Sequence, residues 1–359
     1  MLKIGLIFYN SIFFYGSAVV RLRRDMRKYL SKIIAFTVAF LTAAFVSCGE
    51  KSQEEITVYM PDGAPALALA QLMHEDTEED GVRYSVVAPS AIASKVTYEK
   101  ADENADLCVM PLTAASKLLG SGEEYTMLAT LTHGNLYLVA KGGEEVTLSA
   151  LVGKTVGVLQ IKEVPGLTLK ALLTAQGVAW QEIKGGEEKS EEKVNLVAIS
   201  GAEAVGAVEA DCFLLAEPAA SAQAKKGYSI VGDIQALYGG ENGYPQAVLV
   251  AKNQIVEDRA EWLEEFAQKV TDAANWLMNA SGEQIVSCVQ SHLEDTSATT
   301  VLKAPLLTKE VLGRCGVRFA YAATEKERVE DFLTKLIAVN DKAAVIPAQA
   351  FYWDKEVGS

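Results

Sequence analysis

Polar side chains and glycines recur where a predicted strand gives way to a predicted helix. In open α/β sheets, ligands bind outside the carboxyl ends of the strands, where helix N-termini present unpaired N–H groups. Turns of this kind support the noncovalent capture of a small molecule. The candidate residues at these turns are Asp62, Gly63, Ala64, Ser90, Thr113, His133, Gly134, Asn135, Gly166 and Glu217. Each single turn is also explained as a helix cap, because Ser, Thr, Asp and Gly are common capping residues, but the whole set favours a shared cleft.

The other motifs in the sequence do not indicate catalysis. The sequence contains no Walker loop, no His-Glu-x-x-His and no Gly-x-Gly-x-x-Gly after a predicted strand. Its three histidines are scattered, so we expect no histidine-based metal site, and we predict no cofactor. The cysteines that follow Cys48 are far apart and include no Cys-x-x-Cys pair, so no disulfide framework is indicated.

A repeated pattern of strand, turn and helix positions the candidate residues. Short strands that alternate with short helices predict parallel sheets and an α/β class. Two such series, separated by the strand-rich stretch 125–141, predict two lobes. Beyond residue 252 the chain becomes helical, with amphipathic helices at 258–279 and 326–339. Thr324 and Glu327 predict a capping box for the second of these helices.

The predicted strands of the two series are Ile56–Met60, Tyr84–Ala88, Asp106–Met110, Thr155–Gln160, Asn195–Ile199 and Cys212–Ala216.

Residues 26–48 have the pattern of a secretory signal: a short basic segment, about a dozen apolar residues and a small residue before Cys48. The ending Phe-Val-Ser-Cys resembles a bacterial lipobox, which implies that Cys48 is cleaved free and lipidated. Either Met26 is the true start, which we favour because it opens a complete signal, or residues 1–47 are a long two-part leader. In both cases we exclude the leader region 1–47 from the fold, and the polar residues 48–55 are a tether.

The charge of the chain limits its partners. Residues 1–47 carry seven Lys/Arg and one Asp, which leaves a net charge of −20 for the remainder of a chain whose total is −14. A domain this acidic repels nucleic acid, so we expect no nucleic-acid partner. The roughly 310 residues after the leader exceed a usual single core and again indicate two lobes.

Four segments together resemble the type 2 solute-binding proteins of ABC importers. They are Val58–Ala70, Ala105–Ala115, Gly153–Val158 and Leu214–Pro218, and the resemblance extends from about residue 54 to residue 353. The branch that looks closest is the nitrate/sulfonate/taurine/bicarbonate and thiamine-pyrimidine-synthase-like one.

The sequence departs from that branch in two ways. No arginine or lysine occurs at the candidate turns, which weakens the case for a strongly anionic solute, and the cysteine-rich iron-binding motif of the synthases is absent.

The resemblance implies an α/β fold of the two-lobed Venus-flytrap type, in which the chain crosses twice between the lobes. The crossings are expected near Ala140–Gly143 and Tyr244–Val248. Lobe one would then comprise 56–142 plus 247–359, and lobe two 143–246. Closure of the lobes around a solute would be a hinge motion.

The resemblance also implies a function and its partners. We expect a monomeric, lipid-anchored protein on the extracytoplasmic face of a bacterial membrane, which binds a small molecule and delivers it to an ABC permease and ATPase complex. Two alternatives remain open. One is an enzyme on the same fold, similar to thiamine-pyrimidine synthases or to a menaquinone-pathway dehydratase, although those work in the cytoplasm. The other is a receptor module that senses its ligand without transport.

The lipobox leads to a test of the anchor. In a bacterial host grown with labelled fatty acid, we expect the full-length protein to incorporate label and Cys48→Ala to incorporate none, because Cys48 is the cysteine of the lipobox-like ending. Noncovalently bound lipid is first extracted from the protein, and the label on the protein band is then measured after gel electrophoresis. Label that survives Cys48→Ala, or an unlabelled wild type, would reopen the enzyme alternative.

Overall fold

The structure, a computed structural model, describes residues 55–75, 81–100, 103–184 and 187–355. The leader 1–47, Cys48 and the tether as far as residue 54 lie outside these ranges. Within them, the strands form two six-stranded sheets against which the helices pack. No helix in the described ranges is both long enough and apolar enough to span a bilayer.

The strands, in chain order, are β1 (Ile56–Pro61), β2 (Val82–Val87), β3 (Leu107–Pro111), β4 (Tyr125–Thr132), β5 (Leu136–Lys141), β6 (Thr155–Leu159), β7 (Trp180–Ile183), β8 (Val194–Ile199), β9 (Cys212–Ala216), β10 (Tyr228–Asp233), β11 (Ala247–Lys252) and β12 (Val317–Tyr321). The α-helices are α1 (Ala64–Leu67), α2 (Ala70–Glu75), α3 (Leu112–Leu119), α4 (Val164–Ala175), α5 (Ala219–Ala224), α6 (Ile234–Gly239), α7 (Asn253–Asp258), α8 (Ala260–Leu277), α9 (Gly282–Ser291), α10 (Lys309–Arg314) and α11 (Ala322–Val339).

The first sheet has the strand order β12-β4-β11-β3-β1-β2, and the second has the order β10-β5-β9-β6-β8-β7. In the first sheet β1 is parallel to β2 and β3, whereas β11 is antiparallel to β3 and β4. In the second, β6 is parallel to β8 and β9, and β5 is antiparallel to β9 and β10. We call the part built on the first sheet lobe one (55–132 and 247–355) and the part built on the second sheet lobe two (136–233).

The predicted α/β class and parallel pairing are confirmed. The central strands β3 and β9 are buried along nearly their whole length, as strands covered by helices on both faces of a sheet must be. The two series of the sequence correspond to the parallel parts of the two sheets. The antiparallel strands β11 and β12 join lobe one late in the chain, after the second series is complete.

The first crossing lies earlier than the sequence predicts. The prediction placed it at Ala140–Gly143, with all of 56–142 in lobe one, but β5 pairs with β9 and β10 and so belongs to lobe two. The chain therefore crosses at His133–Asn135. Within the apolar stretch 125–141, the local signs of this break are the polar His133 and Asn135 and the glycine between them, which has φ +84°. The second crossing occupies 234–246.

The predicted capping box of α11 is wrong. The helix begins at Ala322, so Thr324 lies inside its first turn, where the hydroxyl donates to the Tyr321 carbonyl. A capping box occurs instead at the start of α9. There Ser281 accepts from the backbone of Gln284, and the Gln284 side chain accepts from the Ser281 N–H.

The two crossings pack directly against each other. A methyl group on Gly134 would lie 2.7 Å from Cε1 of Tyr244, a buried ring in the second crossing. A methyl group on Gly243 would lie 2.1 Å from the carbonyl oxygen of His133. Both separations are far below van der Waals contact, so only glycine permits this close approach of the two crossing segments.

A matched pair of glycines tests this packing. We expect Gly134→Ala to lower the free energy of unfolding by about 1–3 kcal/mol more than Gly142→Ala, because the added methyl overpacks a buried site. Both positions have positive φ, at +84° and +57°, but nothing lies within 4 Å of the position of a Cβ at Gly142. Urea denaturation of both variants measures the difference, and equal losses would show that the crossings are not tightly packed.

Candidate functional site

Glu217, which follows β9, is a fully buried carboxylate beside the first crossing. Its side chain is 0% exposed. Its backbone N–H donates to the carbonyl of Asn135 at 2.9 Å, and the Asn135 Nδ2 donates to the carbonyl of Glu217 at 3.4 Å. Within lobe two the carboxylate accepts from the backbone N–H of Ser221 at 3.0 Å and from its hydroxyl at 2.7 Å. The sequence prediction placed Asn135 and Glu217 in one site, and the structure brings them together.

Arg314 of lobe one completes the environment of Glu217. Its Nε lies 2.6 Å from Oε1 of Glu217, and its Nη2 donates to the Ser221 hydroxyl at 2.8 Å. The guanidinium also pairs with Glu310 and lies 6.0 Å from the centre of the Tyr137 ring. Burial lowers the pKa of Arg314, but the hydrogen bonds to Glu217 and Glu310 outweigh it and leave that pKa above its ordinary value. A cation of one lobe thus pairs with a buried carboxylate of the other.

Arg314 is the residue that sequence reasoning missed. The candidate turns contain no basic side chain, but Arg314 reaches the site from the end of α10, 97 residues beyond Glu217. The one local signal for α10 is Thr308, whose hydroxyl accepts from the N–H of Val311 and caps the helix. That signal predicts a helix without predicting what the arginine at its far end contacts.

Two amide oxygens on the crossings have no partner among the described residues. The Asn135 side chain is buried, and its Oδ1 accepts no hydrogen bond. The same holds for Oε1 of Gln246, whose backbone N–H donates to Thr132 and whose carbonyl accepts from Leu112. A buried acceptor left without a donor costs about 1–3 kcal/mol, so both oxygens are unsatisfied acceptors on the crossings.

Asp62 and Gly63, after β1, contact a later segment of lobe one. The Asp62 carboxylate accepts from the Thr300 hydroxyl at 2.6 Å and from the Val301 N–H at 2.8 Å. Gly63, with φ +111°, precedes α1, and a methyl group there would touch the Val301 side chain. The same segment continues to Pro305, whose carbonyl accepts from Nζ of Lys225 in lobe two at 2.8 Å. Residues 300–314 therefore extend from the end of β1 to the Glu217 site.

The other predicted residues do not contact this cluster in the described structure. Ser90 is exposed in a 3-10 helix, Pro89–Val96, and Thr113 is buried in the first turn of α3, where its carbonyl accepts from Ser116. Ala64 is the buried first residue of α1. Gly166 is a packing glycine of α4, because a methyl group there would lie 2.1 Å from the carbonyl oxygen of Ile161.

His133 belongs to a second cluster on the crossing rather than to the Glu217 cluster. Its Nδ1 lies 3.0 Å from Nη2 of Arg318, which can only donate, so the ring proton is on Nε2, 3.1 Å from the Arg318 carbonyl. Nδ1 is also 3.8 Å from the carboxylate of Glu325. Burial and the positive charges of Arg318 and Arg328 lower the pKa of His133 to about 3. The imidazole is therefore neutral at ordinary pH.

No protein-family profile and no curated protein sequence matches the chain. Solved structures do. The chain is similar to an ABC transporter structure from Parabacteroides distasonis, with 18% identity, a TM-score of 0.66, and coverage of 85% of this chain and 100% of that one. It is also similar to the periplasmic aliphatic sulphonate-binding protein of Escherichia coli, with 14% identity, a TM-score of 0.57, and coverage of 84% and 92%.

A third structure is the zinc-bound ligand-binding component of an ABC-type import system from Staphylococcus aureus, with 11% identity, a TM-score of 0.55, and coverage of 84% and 97%. The chain has the two-lobed periplasmic-binding-protein fold. At these identities the likeness is one of fold. The Glu217 cluster lies beside the first of the two crossings.

The pKa of His133 generates a prediction of pH dependence. Its ordinary pKa is 6.5 and its folded pKa is about 3, so on acidification the unfolded chain takes up a proton that the folded chain does not. The free energy of unfolding therefore has its full value above pH 6.5. Below that pH it falls, and His133 contributes about 1.4 kcal/mol of this fall per pH unit. We expect the free energy of unfolding of His133→Gln to fall less steeply between pH 6.5 and 4.5, as measured by urea denaturation.

The exposed His74 of α2 supplies the control. His74→Gln should leave the slope of the wild type unchanged. Parallel pH profiles for wild type and His133→Gln would contradict the burial of a neutral imidazole at the first crossing.

Proposed function

We propose that this chain is an extracytoplasmic binding protein that captures a small solute between its two lobes and delivers it to the permease and ATPase of an ABC importer. The observation that carries the proposal is the cluster of Asn135, Glu217 and Arg314. The cluster lies beside the first crossing, which we propose as part of the hinge, near the carboxyl ends of β4 and β9, and it takes side chains from both lobes. The fold is shared with one structure named an ABC transporter and one named the ligand-binding component of an ABC-type import system, which supports the same role.

The charges of the cleft favour a solute rich in hydrogen-bond donors. Arg314 is paired with Glu217 and with Glu310, so its charge is already matched. The unpartnered oxygens of Asn135 and Gln246 are acceptors that need N–H or O–H groups. A strongly anionic solute would meet a buried carboxylate and no free cation in this cluster. The proposal is therefore of a protein that binds a neutral or cationic small molecule.

The N-terminal segment supplies the proposed location. Lipidation of Cys48 would tether the protein to the extracytoplasmic face of the membrane, and the tether would keep a monomeric domain beside its permease. The role is one of binding and transfer, so the proposal includes no catalytic residue and no cofactor.

The test is a thermal-shift screen of the full-length protein against nitrate, sulfonates, amino acids, pyrimidines and vitamins. A solute that binds only the folded state raises the melting temperature. We expect the active compound to carry several N–H or O–H donors. The increase in melting temperature should disappear in Glu217→Gln, because loss of the carboxylate releases both Ser221 and Arg314.

Glu310→Gln is the matched control, because it removes the other, 79% exposed carboxylate partner of Arg314. It should keep the full increase in melting temperature. Circular dichroism of the unliganded variants shows whether each is folded. Equal ligand-induced increases in both variants would place the solute elsewhere, and a response confined to nitrate or sulfonates would overturn the chemistry proposed for the cleft.

A further inference from the structure

A groove of about 390 Å³ runs along the outer side of β12, between α8 and α11. None of the residues predicted for the interlobe site lines it. Its walls combine charged and aromatic side chains, and the ones that matter here are Thr271, Arg318, Phe319, Tyr321, Glu325 and Arg328. The volume falls in the range of small-molecule sites, about 300–1,000 Å³.

Arg318 is the exposed cation of this groove, and its charge is not matched. Its Nη1 donates to Oδ1 of Asn242 at 3.2 Å, and its Nη2 donates to Nδ1 of His133 at 3.0 Å. Both partners are neutral, and no described carboxylate lies within ion-pair distance of it. A guanidinium has five N–H donors, so three remain available. The two hydrogen bonds hold the group in place before any ligand arrives, which lowers the entropic cost of binding.

The second arginine of the groove differs from the first, because a buried carboxylate matches it. Arg328 pairs with Oε1 of Glu325, and its Nη2 donates to the carbonyls of Asn242 at 2.7 Å and Gly243 at 3.1 Å. The groove therefore carries one net positive charge in a chain whose total is −14. An anion that enters it is attracted locally although the protein as a whole repels it.

An apolar surface lies beside the free guanidinium. The rings of Phe319 and Tyr321 are half-buried and meet edge to face, with centroids 4.8 Å apart. Aromatic side chains of this kind bind a flat or branched hydrocarbon group, whereas an inorganic anion would leave them unused. The groove thus presents a cation and an apolar wall side by side.

We propose that this groove binds a small organic carboxylate, whose carboxylate pairs with Arg318 and whose apolar body lies against Phe319 and Tyr321. The site is separate from the interlobe cleft. Arg318 contacts His133 of the first crossing and Asn242 of the second, so a carboxylate bound to its three remaining donors pairs with the same guanidinium that restrains both crossings. If the interlobe function proposed above holds, such a ligand would alter lobe closure from outside the cleft.

Benzoate is the probe, titrated into the full-length protein by isothermal titration calorimetry at constant ionic strength. We expect saturable binding, with acetate at least about tenfold weaker because it lacks the ring. Arg318→Met should weaken benzoate at least about tenfold, the usual cost of losing a hydrogen bond to a charged group. Arg83→Met removes an exposed arginine from β2, at the opposite edge of the sheet, and should leave benzoate binding unchanged.

Thr271→Trp separates ligand binding from hinge stability. Thr271 is exposed on α8, so an indole there fills the groove and leaves every hydrogen bond of Arg318 intact. This variant should lose benzoate binding and keep the melting temperature of the wild type without benzoate. Absence of saturable binding in the wild type, or unchanged benzoate affinity in both Arg318→Met and Thr271→Trp, would overturn the proposal. Glu217→Gln should bind benzoate with the affinity of the wild type. The benzoate experiment can therefore succeed or fail independently of the interlobe proposal.

Discussion

The close approach of the two crossings is the constraint on which the rest of the structure depends. Gly134 faces the ring of Tyr244, and Gly243 faces the carbonyl of His133, with no space for a side chain at either glycine. Tyr244 in turn stacks on Phe332 of α11, with ring centroids 5.1 Å apart, which fixes the second crossing to lobe one. Because each sheet has its own buried strands, this double crossing is where we propose that the lobes rotate relative to each other.

The ion pair of Glu217 and Arg314 is best understood as a positioning device. A buried ion pair adds little net stability compared with an apolar pair of the same size, because desolvation offsets the attraction. What it does fix is geometry: the guanidinium bonds to both Glu217 and Ser221 and lies over Tyr137, so residues 300–314 of lobe one are held against lobe two. The proposed cleft therefore has a defined wall beside the hinge.

The first crossing serves two surfaces because Gly134, with φ +84°, interrupts the extended backbone, so that His133 and Asn135, two positions apart, face different neighbours. Asn135 lies against Glu217, beside the proposed cleft, whereas His133 lies against Arg318 and Glu325, beside the outer groove. Gly134 between them allows the close contact with the second crossing. A three-residue segment thus links the interlobe site, the hinge and the groove.

The sequence by itself determined the alternation of strands and helices, and with it the α/β class, because that pattern depends on local spacing of apolar residues and on turn chemistry. It also predicted Asn135 and Glu217 for one site, and the structure brings them into contact because β5, which begins directly after Asn135, pairs antiparallel with the end of β9. It did not assign β5 to its sheet, because β4 and β5 are both apolar runs and pairing partners leave no local trace. Only the tertiary structure brought Arg314 to Glu217 and turned His133 towards Arg318, because contacts between residues about 100 or more positions apart depend on how the lobes pack.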